Sequence, residues 1–296
     1  MKAKESSIFV KTKRKGDAVL SFLMYVSVIL TIAITVIIIG YVLIRGVPHI
    51  NARFISDTFS MIDPDKKGIL PMLLNTVYIT FITLAIAVPV GLGAAIYLTE
   101  YTRKGPLVKI INFTTEVLAG IPSIIFGLFG YTVFCILFNL KTSIIAGSLT
   151  MAVCILPTII RTSQEALRSV PSVYKEGARA LGAGKFRTIK DIQLPAAMPG
   201  IITGIILAIG RIIGESAALL FTSGLGFNMP DNGAAGAFMH IFESGRTLTL
   251  HLYSLAMDSS DPKAINTAFA TGAVLLIFVF ILNRLTDLFS KKIIKR

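Results

Sequence analysis

Two ionisable residues four positions apart, Arg211 and Glu215, interrupt a long apolar stretch over residues 199–224. An arginine in such surroundings costs at least about 2.5–3.5 kcal/mol to insert into a membrane, so it must face a partner or a water-filled path. Its planar guanidinium can donate two parallel hydrogen bonds to an oxyanion. Glu215 can pair with it on one helix face. Such a pair either fixes helix packing or forms an anion gate. Gly200, Gly204, Ala208, Ala218 and Thr222 share the same helical stripe, and small residues at that spacing let helices approach closely. Arg161, with Glu165 four residues on, repeats the motif at the end of another apolar run, where topology alone could also place a cation.

No catalytic triad, paired-carboxylate site or metal cluster is legible. Cys135 and Cys154 lie inside apolar runs, and His49, His240 and His251 are far apart. The expectation is a chain that is not an enzyme and binds no metal or cofactor of its own.

The elements that must position these charges are membrane helices. The chain is 54% hydrophobic and 15% charged, against about 25% charged in soluble domains. Six apolar runs, near 19–44, 71–98, 113–138, 143–164, 198–222 and 267–288, approach or exceed the ~20 residues that cross a bilayer as helix. In lipid, backbone groups must be satisfied within the segment, which selects helix. The first run is too long for a signal-peptide core, and no small-residue cleavage site follows it. Pro89, Pro122 and Pro157 fall within spans and read as kinks or as breaks that line a cavity, kinks being the simpler reading. The fold class is therefore all-α and polytopic.

Of the 29 Lys and Arg, 21 fall in the N-terminal tail, 99–112, 161–197 and the C-terminal tail, and only seven in the alternate segments. By the positive-inside rule both termini are cytoplasmic. The reading is a cytoplasmic tail over 1–18, a six-helix domain over 19–290 with an inner loop at 165–197, and a second tail over 291–296. The net charge of +13 is then topology rather than a nucleic-acid surface. The outer segments 45–70 and 223–266 carry turn signals at 63–65, 228–233 and 261–262. Part of 234–257 is either a short helix on the outer face or a plain connector.

The inner loop has its own design. Pro171 suits the first turn of a helix over 172–181, with Ser169 or Ser172 as cap. Gly182 stands where that helix stops. A second short helix fits 184–192, and Pro195 separates it from the next span. Gly182-Ala183-Gly184-Lys185 is not a phosphate-binding loop, because Arg179 and Phe186 stand where that pattern needs Gly and Ser or Thr.

This loop resembles the coupling loop of ATP-binding-cassette importer permeases, whose pattern is E-A-A, three residues, G, nine residues, I-x-L-P. Here Glu176, Gly177, Ala178, Gly182, Ile192, Leu194 and Pro195 hold those positions, with Gly177 replacing the first Ala. The stretch GESAALLFTSG from Gly214 is similar to the PstA-type permease of the phosphate importer, with Ala218 in place of the usual Pro. Asn75-Thr76, GIPSIIFGLFG at 120–130 and LPTIIRT at 156–162 are similar as well. The resemblance implies a type I importer permease with six transmembrane helices in the cell membrane. It implies transport of inorganic phosphate past Arg211, Glu215 and Arg161. Its implied partners are a second homologous permease (PstC-like), an ATPase dimer (PstB-like) that uses the ATP, an extracytoplasmic phosphate-binding protein (PstS-like) and membrane lipid, with no nucleic acid. A permease for phosphonate or sulfate, or a secondary anion transporter or channel, are the alternatives.

Overall fold

A computed structural model describes residues 15–60, 67–102, 105–231, 233–257 and 262–294. The basic residues at 2–14 and the turn signals at 63–65 and Asp261 lie outside the described residues. The helices are α1 (Lys15–Gly46), α2 (Ala52–Ser56), α3 (Leu70–Ile96), α4 (Pro106–Gly120), α5 (Ser123–Gly130), α6 (Ile144–Ser169), α7 (Ser172–Ala180), α8 (Lys185–Thr188), α9 (Leu194–Gly214), α10 (Ala217–Thr222), α11 (Ala234–His240), α12 (Leu248–Met257) and α13 (Pro262–Ile294). No β-strand occurs among the described residues.

Five stretches, Val19–His49, Leu70–Tyr101, Ile144–Ser169, Lys185–Gly214 and Ala264–Leu288, are long and apolar enough to cross a membrane. The run expected as a span over 113–138 is a bent pair: α4 and the helix beginning at Ser123 meet at 101°, with Pro122, read as a kink or break, at the bend. Proline disfavours helical geometry in its predecessor and lacks an N–H. Ile121 accordingly adopts φ −71°, ψ 132° before Pro122. By contrast, Pro89 and Pro157 are absorbed inside α3 and α6.

The span expected over 198–222 is corrected. It begins earlier and breaks after Gly214, where Glu215 takes an extended conformation at φ −80°, ψ 127°. The Glu215 carboxylate accepts from the Ala218 N–H at 3.3 Å, a local bond that competes with helix continuation. Pro195 does not separate the inner loop from this span. It sits in the first turn of α9, behind a π-helical turn over Ile189–Gln193 that runs on from α8. A wider turn and a helix start both tolerate the missing N–H.

The core centres on α6, which packs against α3 on one side and α9 on the other. Ile79 and Ala87 of α3, Met151, Ile155 and Ile159 of α6, Ala208 and Ile212 of α9, and Leu219 of α10 form one buried cluster. The small stripe of α9 makes the close approach: a Cβ on Gly200 would press on Ala166, and one on Gly204 would overlap Thr162. Peripheral α1 packs on α13, and its apolar window is otherwise uncovered by protein. That surface suits lipid.

Overpacking a close helix contact costs about 1–3 kcal/mol. Gly204→Val should lower the thermal midpoint of the detergent-purified protein. Gly210→Ala, where a Cβ meets open space, should leave it unchanged or raise it. Equal midpoints for Gly204→Val and the wild type would contradict the packing.

Candidate functional site

Arg211 is half-buried on the last turn of α9. The pair expected with Glu215 does not form: no ion pair joins them among the described residues, because Glu215 has left the helix and caps α10. Arg211 turns instead to α6. Its Nη1 donates to Thr158 Oγ1 at 3.4 Å and its Nη2 to Cys154 Sγ at 3.6 Å. Both acceptors are uncharged and the bonds long, so most of its five donors stay available.

Arg161 is exposed and pairs with Glu165 at 3.3 Å along α6. It lines a cavity of about 370 Å³ between α4 and α6, together with Thr158, Thr162, Asn112 and Glu116. Thr158 therefore links the two arginines: it stands in the wall of the Arg161 cavity and receives Arg211. Sequence spacing placed Arg161 and Arg211 in separate spans, and the fold brings both to one face of α6.

The inner loop forms a compact elbow. Pro171 is the N-cap of α7 rather than its first residue, and neither Ser169 nor Ser172 caps it. The Ser169 hydroxyl donates to Ala166 O instead. At the other end the chain closes as expected. The Gly182 N–H reaches Arg179 O at 2.9 Å, the Ala183 N–H reaches Ala178 O at 3.0 Å, and Gly182 has φ +81°. This paired closure needs a left-handed residue, which glycine adopts without strain. Glu176 and Gly177 are exposed, Ala178 is buried, Ile192 and Leu194 are half-buried, and Pro195 is exposed. A Cβ on Gly177 would meet open space, so packing does not demand glycine there.

The elbow also presents Val173, Tyr174, Leu181 and Phe186 to the outside, Leu181 at 91% exposure. Apolar groups gathered on a charged, non-spanning segment mark a docking surface.

What holds the elbow escaped the sequence reading. Glu100, in the π-helical turn that extends α3 over Tyr97–Tyr101, accepts from Lys175 Nζ and from Gln193 Nε2, each at 2.6 Å. Gln193 is fully buried and also donates to Leu167 O of α6 at 3.3 Å. One carboxylate thus joins the end of α3, the middle of α7 and the start of α9, with α6 attached through Gln193. The available signal was a lone acid closing an apolar run opposite a basic loop. Its partners lie 75 and 93 residues away, beyond any spacing rule.

A second buried cluster occupies the segment after α10, where two short helices replace the single helix or connector expected. Arg246, 3% exposed, lies near the rings of Phe59 and Phe227 and donates to Leu225 O at 3.2 Å and to His251 Nδ1 at 3.4 Å. Burial and the Arg246 charge push the His251 imidazole down to about 3, so the ring is neutral and accepts. Asn75 of α3 donates to Arg246 O at 3.2 Å and hydrogen-bonds His240 at 2.9 Å. These contacts lock the segment onto α3.

Gly182→Val forces a β-branched residue into positive φ, at a cost of about 1–3 kcal/mol. It should leave the protein in the membrane and abolish transport, whereas Gly177→Ala, which improves helix propensity by roughly 1 kcal/mol, should keep it. Transport at matched membrane levels is the measurement, and full activity of Gly182→Val would remove the elbow from the mechanism.

A family model described as binding-protein-dependent transport system inner membrane component matches residues 87–295. The probable ABC transporter permease protein YqgI of Bacillus subtilis (strain 168) is 37% identical over 256 residues, 85% of this chain and 87% of that protein. The PstA phosphate transport system permease protein of Xylella fastidiosa is 34% identical over 60% of this chain and 62% of its own length. The PstA homolog of Mycoplasma genitalium is 33% identical over 94% of this chain, which spans only 42% of that relative. Among solved structures, a bacterial alginate ABC transporter chain superposes with TM-score 0.65 at 15% identity, covering 95% of this chain and 98% of that one. A chain of the inward-facing MetNI methionine ABC transporter gives TM-score 0.52 at 20% identity, covering 77% and 94%. At such identities these structures show the fold alone. The family match takes in Glu100, the whole elbow and Arg211, and the chain belongs to the binding-protein-dependent transport system inner membrane component family.

Proposed function

We propose that this chain is a membrane permease subunit of an ATP-driven importer of inorganic phosphate and forms half of its translocation pathway. The observation that carries the reading is the elbow: a rigid, partly apolar projection tied to three membrane helices at their ends. An ion-driven carrier or channel has no use for it. Such a projection suits the groove of a separate ATPase, whose closure would push it and whose ATP is the energy source. Glu176 and the apolar group around Leu181 are the surface offered to it.

The substrate class rests on two supports. Relatives at 33–38% identity carry the name phosphate transport system permease protein. Arg211, not paired with Glu215, is a cation at the end of α9 facing hydroxyl and thiol groups in the middle of α6, which suits a tetrahedral oxyanion. Phosphonate or sulfate would meet the same chemistry. The partners expected are a second, homologous permease of PstC type, a dimer of PstB-type ATPases and a PstS-type extracytoplasmic phosphate-binding protein. The chain resides in the cell membrane, and we place both termini and the elbow on the cytoplasmic side, where the cations concentrate.

If Arg211 meets the anion, Arg211→Gln should lower phosphate uptake at least 100-fold, the loss of a charge-assisted bidentate contact worth about 3 kcal/mol. Adding Glu215→Gln should not restore it, because the two side chains do not pair. Uptake of labelled phosphate by single and double variants at matched membrane levels is the measurement. Near-normal uptake by the double variant would leave Arg211 a structural residue.

A further inference from the structure

Beyond the Arg161 cavity lies a larger one, of about 780 Å³, walled by the ends of α3, α4 and α6 and the first turn of α7. Three cations line it, Lys109, Arg168 and Lys175, against one carboxylate, Glu100. Glu100 is already engaged by Lys175 at 2.6 Å. Lys109 and Arg168 are exposed, and neither has an ion pair or hydrogen bond among the described residues. The Thr99 hydroxyl, also in this wall, is buried and has no partner among the described residues. Where Pro171 and Ser172 open α7 onto the cavity, no side chain caps the helix, so its first N–H groups add partial positive charge. Unpaired cations, a free hydroxyl and open N–H groups together are what an oxyanion binds.

The two cavities share Asn112 and Arg168. On α6, Cys154, Thr158, Arg161, Glu165 and Arg168 follow at spacings of four, three, four and three, which keeps them on one helix face. Arg211 touches the first two of these residues. A single polar face of α6 therefore leads from the residues that Arg211 touches to the larger cavity. The smaller cavity also holds two carboxylates, Glu165, held by Arg161, and the exposed Glu116. That balance disfavours a resting anion midway and favours one at the cationic end.

We propose that the larger cavity is an oxyanion site at the cytoplasmic end of the path, with Lys109 and Arg168 as its principal ligands, where the transported anion rests before release. The proposal builds on the import reading above. A phospholipid headgroup carries the same phosphate chemistry and could reach the site from the membrane surface.

The test uses the assembled importer in liposomes with its ATPase face outward and its binding protein inside. Inorganic phosphate added on the ATPase side acts as product inhibitor of ATP-driven transport. The Lys109→Gln, Arg168→Gln double variant should raise the half-inhibitory phosphate concentration roughly tenfold or more, the loss of two charge-assisted contacts. Its half-saturating concentration on the binding-protein side and its association with the ATPase should not change. An unaltered inhibition curve overturns the site. Liposomes with and without phosphatidylglycerol separate the sources: if wild-type transport requires the anionic lipid, the double variant has lost that requirement and phosphate inhibition is unmoved, the occupant is lipid and the release role is overturned. If the wild type carries another oxyanion instead of phosphate, the substrate reading fails, while the same curve measured with that anion still decides the site.

Discussion

The geometry of the elbow depends on one carboxylate. Glu100 accepts two hydrogen bonds at 2.6 Å, from a lysine on the elbow and from a buried glutamine at the head of α9. The Glu100 side chain is 7% exposed and that of Lys175 20%. Removing one partner from a fully buried pair costs about 3–5 kcal/mol, and less where water still reaches it. Such a bond cannot be exchanged freely for water during a transport cycle. It makes the elbow an extension of the membrane helices rather than a tether. Force applied at Glu176 or Leu181 is then delivered to α3, α6 and α9 together.

Those three helices form the core that carries Arg211 and Arg161. α9 lies against α6 through Gly200 and Gly204, whose bare backbone faces Ala166 and Thr162 of α6 directly. A shift of α9 therefore moves Arg211 relative to Thr158 and Cys154, or moves α6 with it. Beyond the break after Gly214, α10 packs on α5 and α6. In this way the arrangement couples an elbow at one end of α9 to a cation at the other.

Much of this was legible in residue order. Runs of apolar residues gave six spans, because lipid permits little but helix, and four of them run as long helices close to the expected bounds, while those over 113–138 and 198–222 are bent or broken. The left-handed Gly182 followed from where the α7 pattern ends. The misreadings have physical causes. Pro122 reads as a kink, but hydropathy alone could not show that the chain turns there through 101°, since the bent pair is as apolar as a straight one. Four-residue spacing suggested an Arg211–Glu215 pair, but spacing matters only while the helix continues, and Glu215 prefers the free N–H of Ala218. Glu100 and Gln193 were invisible because their meeting depends on how distant spans pack.

The central claim is that the elbow and the inner end of α3 move as one body. Spin labels at Ala180 of α7 and Tyr97 beside Glu100, both exposed, would report it by pulsed electron resonance in the assembled importer. The account predicts one distance distribution for this pair in the ATP-free and the ATP-bound, hydrolysis-trapped states, while a label pair across the two permeases changes between them. A shift of the Ala180–Tyr97 distribution on ATP binding would contradict the account, because the Glu100 junction would then be a hinge.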